Sequence, residues 1–427
     1  MIRIWDRKKI SFGVVSTRLS GTDGVSLESQ KWVDVLKSKG CDVYYFAGEL
    51  DTPPEDSYLM PKAFFQHPEI LSVQESLYTE KRRTRSIGKT ISRLTEELRD
   101  AIEDFYRKFK FDVLLVQNAL SLPVNIPLGK ALTEFIIETG IPTIAHHHDF
   151  YWERQRFHSY AAMDYHRAYF PPAQPNIQHV VINSIAGSQL SRRTGATWRV
   201  IPNVMDFKTP PPGIDDYNQD IRREIGFDDD SYLILQPTRL VSRKGIETSV
   251  ELISRLKQDN CTLVIPHEAG DEGVTYRERI EEYAEFMGVN LRLIPDRISK
   301  NRGTNAKGEK IFTLWDVYPH ADLVSYPSLY EGYGNAFVEA IYFRKPILVN
   351  RYQIYEADIE PLGFKVISFN GFITNNIVER VRQMLGNKEQ LHEMTEKNYM
   401  LGWRYLSYEM LEEKLEALLT NIYGAHS

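Results

Sequence analysis

The strongest constraint on this chain is a pattern that runs through it twice. Short apolar runs alternate with longer stretches that carry apolar residues at helical spacing. That alternation is the mark of βαβ units and a parallel sheet. In the first half Ile10–Ser16 reads as a strand and Ser26–Lys39 as the helix after it. Leu27, Val33 and Leu36 mark the apolar side of that helix, Trp32 lies beside it, and Gly40 stands where a helix-ending glycine belongs. Val43–Ala47, Asp112–Gln117, Ile141–His146 and His179–Asn183 read as further strands. The second half restarts the pattern with Tyr232–Gln236, Cys261–Ile265, Leu291–Ile294 and Leu323–Tyr326.

Between the halves lie Ile201-Pro202-Asn203-Val204 and Thr209-Pro210-Pro211-Pro212-Gly213, whose prolines suit a semi-rigid hinge. The expected division is an N-terminal domain over 1–205, a C-terminal domain over 206–395, and a helical end over 396–427. The stretch from Leu391 to Ile422 reads as helical throughout, with Trp403 and Tyr405 as apolar anchors. The expected fold class is α/β, with two doubly wound domains facing across a cleft.

Composition narrows the function classes. Of 427 residues, 42% are hydrophobic and 26% charged, so each half can bury an ordinary core. A net charge of −6 argues against a general nucleic-acid binder. The two cysteines, Cys41 and Cys261, sit in different halves and offer neither a disulfide scaffold nor CxxC metal spacing. A reducing, cytoplasmic setting is the expectation. Neither a signal-peptide core nor a bilayer-spanning stretch is read, and peripheral membrane contact stands as the less favoured alternative.

Open parallel sheets bind ligands at the carboxyl ends of their strands, so chemistry should lie in the loops after strands. After Leu323–Tyr326 comes Glu331-Gly332-Tyr333-Gly334-Asn335-Ala336-Phe337-Val338-Glu339, opening a helix expected to run to about Phe343. The glycines let backbone approach a ligand, and the helix start offers free amides to a phosphate. A carboxylate can accept from both hydroxyls of a vicinal diol. The plainer reading is a capped helix with surface glutamates. Arg239 and Lys244 follow the Tyr232 strand five residues apart and suit a departing diphosphate, although solvated surface cations are the commoner fate of such residues.

These residues together resemble the retaining GT-B glycosyltransferases of family 4, with two Rossmann-like domains. Glu331 to Glu339 fits their E-x7-E motif, and Arg239 with Lys244 fits their basic pair. The resemblance implies that Glu331 holds hydroxyls of the transferred sugar and Glu339 the ribose diol. It places Gly332, Tyr333, Gly334, Asn335 and Ala336 against sugar and phosphates, and Arg297 and Ile298 near the base. In the N-terminal half Ser20-Gly21-Thr22-Asp23-Gly24 stands where relatives have a glycine-rich loop near donor phosphates and acceptor. Gly24 is thereby a donor-side residue and Asp23 an acceptor-side one. His146-His147-His148-Asp149 stands where the family has a His lining the transferred sugar, a role carried here by His148. The resemblance also implies that the helical C-terminal end returns onto the N-terminal domain.

The implied catalytic set is His148, Arg239, Lys244 and Glu331. No metal cofactor is required on this reading, and the nucleotide-diphosphate sugar is a co-substrate. Asp228-Asp229-Asp230 reads as a solvated turn rather than a metal motif. Successive histidines on an extended chain face opposite ways, so His146 to His148 do not readily share an ion. Asp149, Tyr151 and Arg154 are candidates for the acceptor, and Glu153, Arg156 and His158 follow them. The last three together with Arg154 read equally as a solvated face. Lys81-Arg82-Arg83-Thr84-Arg85, with Lys89 and Arg93, reads first as a solvated run and second as an anion or acidic-lipid contact.

The function read from the sequence is transfer of a hexosyl group from a GDP-mannose or UDP-glucose type donor to an acceptor hydroxyl, a small anionic acceptor such as a glycerate glycoside being one candidate. Both partners are small molecules. A sugar-nucleotide epimerase of the same fold and a non-catalytic nucleotide-sugar binder are the rival readings. A dehydrogenase is disfavoured because no GxGxxG follows the first strand.

Overall fold

The computed structural model describes residues 5, 9–21, 23–227, 231–256, 260–267 and 273–424. They form two compact units, one comprising 1–204 with 408–427 and the other 205–407. Asp228–Asp230 and Thr22 lie outside the described residues.

The first unit holds a parallel sheet of β1 (Ser11–Val15), β2 (Asp42–Ala47), β3 (Ser57–Leu59), β4 (Val113–Gln117), β5 (Thr143–His147), β6 (Ile177–Val181) and β7 (Trp198–Val200). Their order is β3-β2-β1-β4-β5-β6-β7. The longer helices are α1 (Gly24–Ser38), α2 (Pro68–Thr79), α3 (Arg85–Phe109), α4 (Ile126–Thr139), α5 (Met163–Tyr169) and α6 (Ser184–Thr194). The reversal of direction across the sheet falls at β1 and β4, the switch point where such sheets bind ligands. Strands buried on both faces explain the near-continuous apolar runs of β1, β4 and β5.

The second unit holds β8 (Tyr232–Leu235), β9 (Cys261–Ile265), β10 (Asn290–Leu293), a small hairpin of β11 (Gly303–Thr304) and β12 (Lys310–Ile311), then β13 (Leu323–Tyr326), β14 (Ile347–Asn350) and β15 (Ile367–Phe369). Its main sheet is parallel in the order β10-β9-β8-β13-β14-β15. Helices α7 (Ile221–Glu224), α8 (Ile246–Leu256), α9 (Gly273–Phe286), α10 (Leu314–Val317), α11 (Asn335–Tyr342), α12 (Asn375–Gly386) and α13 (Lys388–Leu406) complete it. A final helix, α14 (Tyr408–Tyr423), belongs to the first unit, where Leu411, Leu415, Leu418 and Leu419 join the core. Among the described residues no helix is long and apolar enough to cross a membrane.

Three expectations are corrected. The helical end is two helices that part at Ser407, and residues 396–407 belong with the second unit. Trp403 is no anchor, being 38% exposed. The buried face of α13 is instead Thr395, Asn398, Tyr399, Gly402 and Leu406, because Gly402 lets Phe207 close in: a Cβ there would stand 2.5 Å from its ring. On α1, Leu27 faces out and Trp32 is fully buried, so the inward face is centred on Trp32, Val33, Val35 and Leu36. Strands β3, β7, β14 and β15 were not read from the sequence; β3, β7 and β15 are only three residues long, too short for a period to show.

Candidate functional site

In the second unit the chemistry gathers at the carboxyl ends of β8 and β13, which pair side by side. Beyond β8, a short turn over Ser242–Lys244 carries Lys244 inward, and its side chain is largely buried. Gln236 holds that turn: its Nε2 donates to the Lys244 carbonyl at 3.0 Å, and its Oε1 accepts from Ser249 Oγ at 2.6 Å. Lys244 Nζ meets Glu331 Oε1 in a buried ion pair. Arg243 Nη1 lies 3.5 Å from Glu331 Oε2 and donates to the Tyr330 carbonyl at 3.1 Å. Burial pushes the Glu331 carboxyl up, but the charge and hydrogen bond of Lys244 outweigh it and hold the group below its ordinary value, ionised. Burial draws the Lys244 ammonium down, with Glu331 opposing.

The loop from Glu331 to α11 is held by tyrosines. Tyr352 donates to the Tyr333 carbonyl at 2.6 Å. Gly334 caps α11 with φ at 117°, and a Cβ there would fall 2.6 Å from the Tyr326 hydroxyl. Only glycine fits, which is the physical content of this part of the motif. Asn335 and Ala336 start the helix, placing its first amides beside the loop. Glu339 sits a turn further on, half-buried, accepting from the Tyr318 hydroxyl at 2.8 Å.

Two basic candidates separate. Arg239 is exposed, beyond the end of β8. Arg297 is buried and engaged: its guanidinium donates to the Lys310 carbonyl at 2.8 Å, to the Glu224 carbonyl at 2.9 Å and to the Glu224 carboxylate at 3.0 Å. Its side chain ties the hairpin to α7, and the neighbouring Ile298 pairs by backbone with Phe312. One residue the sequence reading missed is His267, just past the end of β9. Burial, then the charges of Arg239 and Lys244, lower its pKa, so it shares their surroundings. Its signal was its place directly after a strand that the sequence did reveal.

In the first unit the corresponding cluster lies beyond β4 and β5. The three histidines alternate. His146 and His148 turn to one side, where both meet Gln117 Oε1, at 2.9 Å and 3.3 Å. His147 turns to the other, where Nε2 lies 2.9 Å from His179 Nδ1. His146 is sandwiched, its ring 4.2 Å from Trp32 and 4.4 Å from His148. Asn118, with φ at 62°, uses Oδ1 to accept from the backbone amides of His148 and Asp149 at 3.0 Å and 3.2 Å. Burial lowers His148 to about 4, against the pull of Asp149 and Asp23, so the ring is neutral near pH 7. Gln117 and Asn118 were missed; an Asn at a strand end, a residue type that tolerates the left-handed region, was the available signal.

Asp23 caps α1, accepting from Val25 N at 3.1 Å and Ser26 N at 3.3 Å and pairing with Arg18 at 2.8 Å. Gly24 is exposed at the helix start. Asp149 pairs with Arg154 at 2.9 Å, and Tyr151 packs its ring 4.6 Å from His166. Glu153 accepts from Phe150 N at 2.7 Å, and its pKa rises to about 7, chiefly through burial. In the basic run, Arg83 binds Asp164 through two bonds of 2.8 Å, and Arg93 pairs with Glu69 and Glu97. Among the described residues no group of three or more His, Cys, Asp or Glu side chains is arranged to hold a metal ion.

Two parallel doubly wound sheets, each with charged and polar side chains collected at its strand ends, are the GT-B class of fold. Comparison with known proteins gives the same class. The model of the family described as glycosyl transferases group 1 matches residues 300–400. A mannosylglucosylglycerate synthase of Petrotoga mobilis is 34% identical, covering 92% of this chain and 97% of its own. One from Thermotoga maritima is 32% identical, covering 92% and 96%. Among solved structures, a sucrose-phosphate synthase from Thermosynechococcus elongatus superposes with a TM-score of 0.66 at 14% identity, covering 98% of this chain and all of that one. A glycosyltransferase from Rickettsia africae gives 0.67 at 11% identity, covering 98% and 100%. The chain belongs to the group 1 glycosyltransferases, and it is an enzyme of sugar transfer.

Proposed function

We propose that this enzyme transfers a hexosyl group, with retention of anomeric configuration, from a nucleotide-diphosphate sugar to a hydroxyl of a small glycerate glycoside. The observation that carries the reading is the end-to-end likeness to two mannosylglucosylglycerate synthases at 34% and 32% identity. Their name favours a mannosyl donor, GDP-mannose, over UDP-glucose.

In this reading Lys244 and Arg239 neutralise the leaving diphosphate, supported by the amides at the start of α11. Glu331 holds hydroxyls of the sugar, so substrate entry exchanges part of its pairing with Lys244 for sugar contacts. Glu339 takes the ribose diol, and His148 lines the transferred sugar. Arg297 contributes support to the hairpin rather than a side-chain contact to the base. Asp149 and Arg154 face the acceptor carboxylate region as a pair. Leaving-group charge is met by protein cations, so no metal is required.

The test is direct. Purified protein is incubated with GDP-mannose or UDP-glucose and with glucosylglycerate, glycerate or phosphoglycerate, with and without a chelator. Product anomers are read by NMR. A single α-linked mannosyl product on glucosylglycerate, insensitive to chelation, is expected. Transfer only to phosphoglycerate, inversion, or strict metal dependence overturns the corresponding part of the reading.

A further inference from the structure

The side chain of Gln117 at the end of β4 is fully buried, and one of its atoms serves two imidazoles. Its Oε1 lies 2.9 Å from His146 Nδ1 and 3.3 Å from His148 Nε2, while its Nε2 is buried without a partner. His146 Nε2 is likewise buried and unpartnered. An amide oxygen only accepts. Both histidine nitrogens facing it therefore carry their hydrogen. For His148 that fixes the neutral ring with hydrogen on Nε2, leaving Nδ1 as the bare acceptor nitrogen.

We infer that Gln117 is a positioning residue that sets the tautomer and ring orientation of His148, so that this histidine meets its substrate hydroxyl as an acceptor at Nδ1. The inference rests on the reading of His148 as a contact of the transferred sugar. Three features make the arrangement rigid. The backbone of Gln117 pairs in register with His146, so the amide and the two rings ride on adjacent strands. The rings of His146 and Trp32 stack, closing the back of the cluster. Asn118 fixes the backbone of His148 independently of Gln117, so the two neighbours divide the task, one holding the chain and the other the ring.

The experiment uses the full-length protein labelled with 15N at histidine, the His148 ring signals being assigned by their loss in His148→Ala. Wild type is expected to show a protonated Nε2 and a bare Nδ1. In Gln117→Met the pattern shifts toward hydrogen on Nδ1. Turnover falls about fivefold, the scale of one hydrogen bond, while KM for the nucleotide sugar stays within about twofold. Gln117→Glu restores an acceptor, and with it the ring pattern and most of kcat, while its charge moves the acid limb of the pH profile upward. A wild-type His148 with hydrogen on Nδ1, or an unchanged ring pattern in Gln117→Met, overturns the inference. So does equal loss of kcat in the Met and Glu variants. If Gln117→Met does not fold, the wild-type spectrum and Gln117→Glu decide alone. Full activity in His148→Ala would instead remove the sugar-contact reading and leave the tautomer result standing.

Discussion

Lys244 Nζ and the Glu331 carboxylate meet with both side chains about nine-tenths buried, 11% and 10% exposed, although they come from loops after different strands. Each makes the other's burial tolerable. Removing one partner leaves an uncompensated charge, whereas removing both leaves a neutral pair of side chains.

Lys244→Met is therefore expected to cost about 3 kcal/mol or more, and Lys244→Met with Glu331→Gln much less than the sum of the single changes. Without Lys244 the carboxyl pKa of Glu331 rises, so the penalty should be larger at pH 8 than at pH 4.5. All three variants should lack transfer activity. Chemical denaturation at both pH values checks the cycle; additive losses would mean the pair is not coupled.

Gly334→Ala is expected to lose about 2 kcal/mol or more, because φ is 117° and the new methyl meets the Tyr326 hydroxyl at 2.6 Å. Gly303→Ala, whose Cβ would meet nothing within 4 Å, serves as the control and should stay within about 0.5 kcal/mol. Thermal unfolding separates the two.

Burial holds five histidines of the first unit below their ordinary pKa: His146 and His147 far below, and His148, His166 and His179 near 4. A base whose folded pKa is depressed contributes stability that is complete above about 6.5 and is lost as pH falls toward 4, at most about 3 kcal/mol per group. Stability should already decline between pH 6.5 and 5, where the loss from five buried histidines outweighs the opposing gain from Glu153, whose carboxyl titrates near 7. A flat Tm over that window would contradict the buried-neutral assignment. Transfer should keep its neutral His148 down to pH values well below 6.5.

Asn118 carries two separable duties, a left-handed backbone and two accepted hydrogen bonds. Asn118→Gly keeps the first and loses the second, and Asn118→Ala loses both. The alanine variant is expected to be about 1 kcal/mol the less stable of the two. Limited proteolysis should cut near 148–158 faster in both. Equal stability of the two variants would show that the backbone conformation carries no cost.

Much of the architecture was legible because it is local. Cys261–Ile265 and Leu323–Tyr326 are apolar runs whose limits coincide with β9 and β13, and the glycine that opens α11 announces its own backbone. The motif from Glu331 to Glu339 and the Arg239–Lys244 spacing were visible for the same reason. Partnership between distant residues was not. Nothing in the sequence says that Lys244 closes on Glu331, that Arg297 is spent on Glu224 and Lys310, or that Gln117 reaches two histidines at once. Strand order and register settle the first and the last by bringing residues far apart in sequence to neighbouring strand ends, and the packing of the hairpin and α7 around Arg297 settles the second. The sequence by itself determined two parallel α/β units and the residue types at their strand ends. Only the tertiary structure decided which of those polar groups pair with each other, because in a buried setting each must find a partner and the fold determines which are within reach.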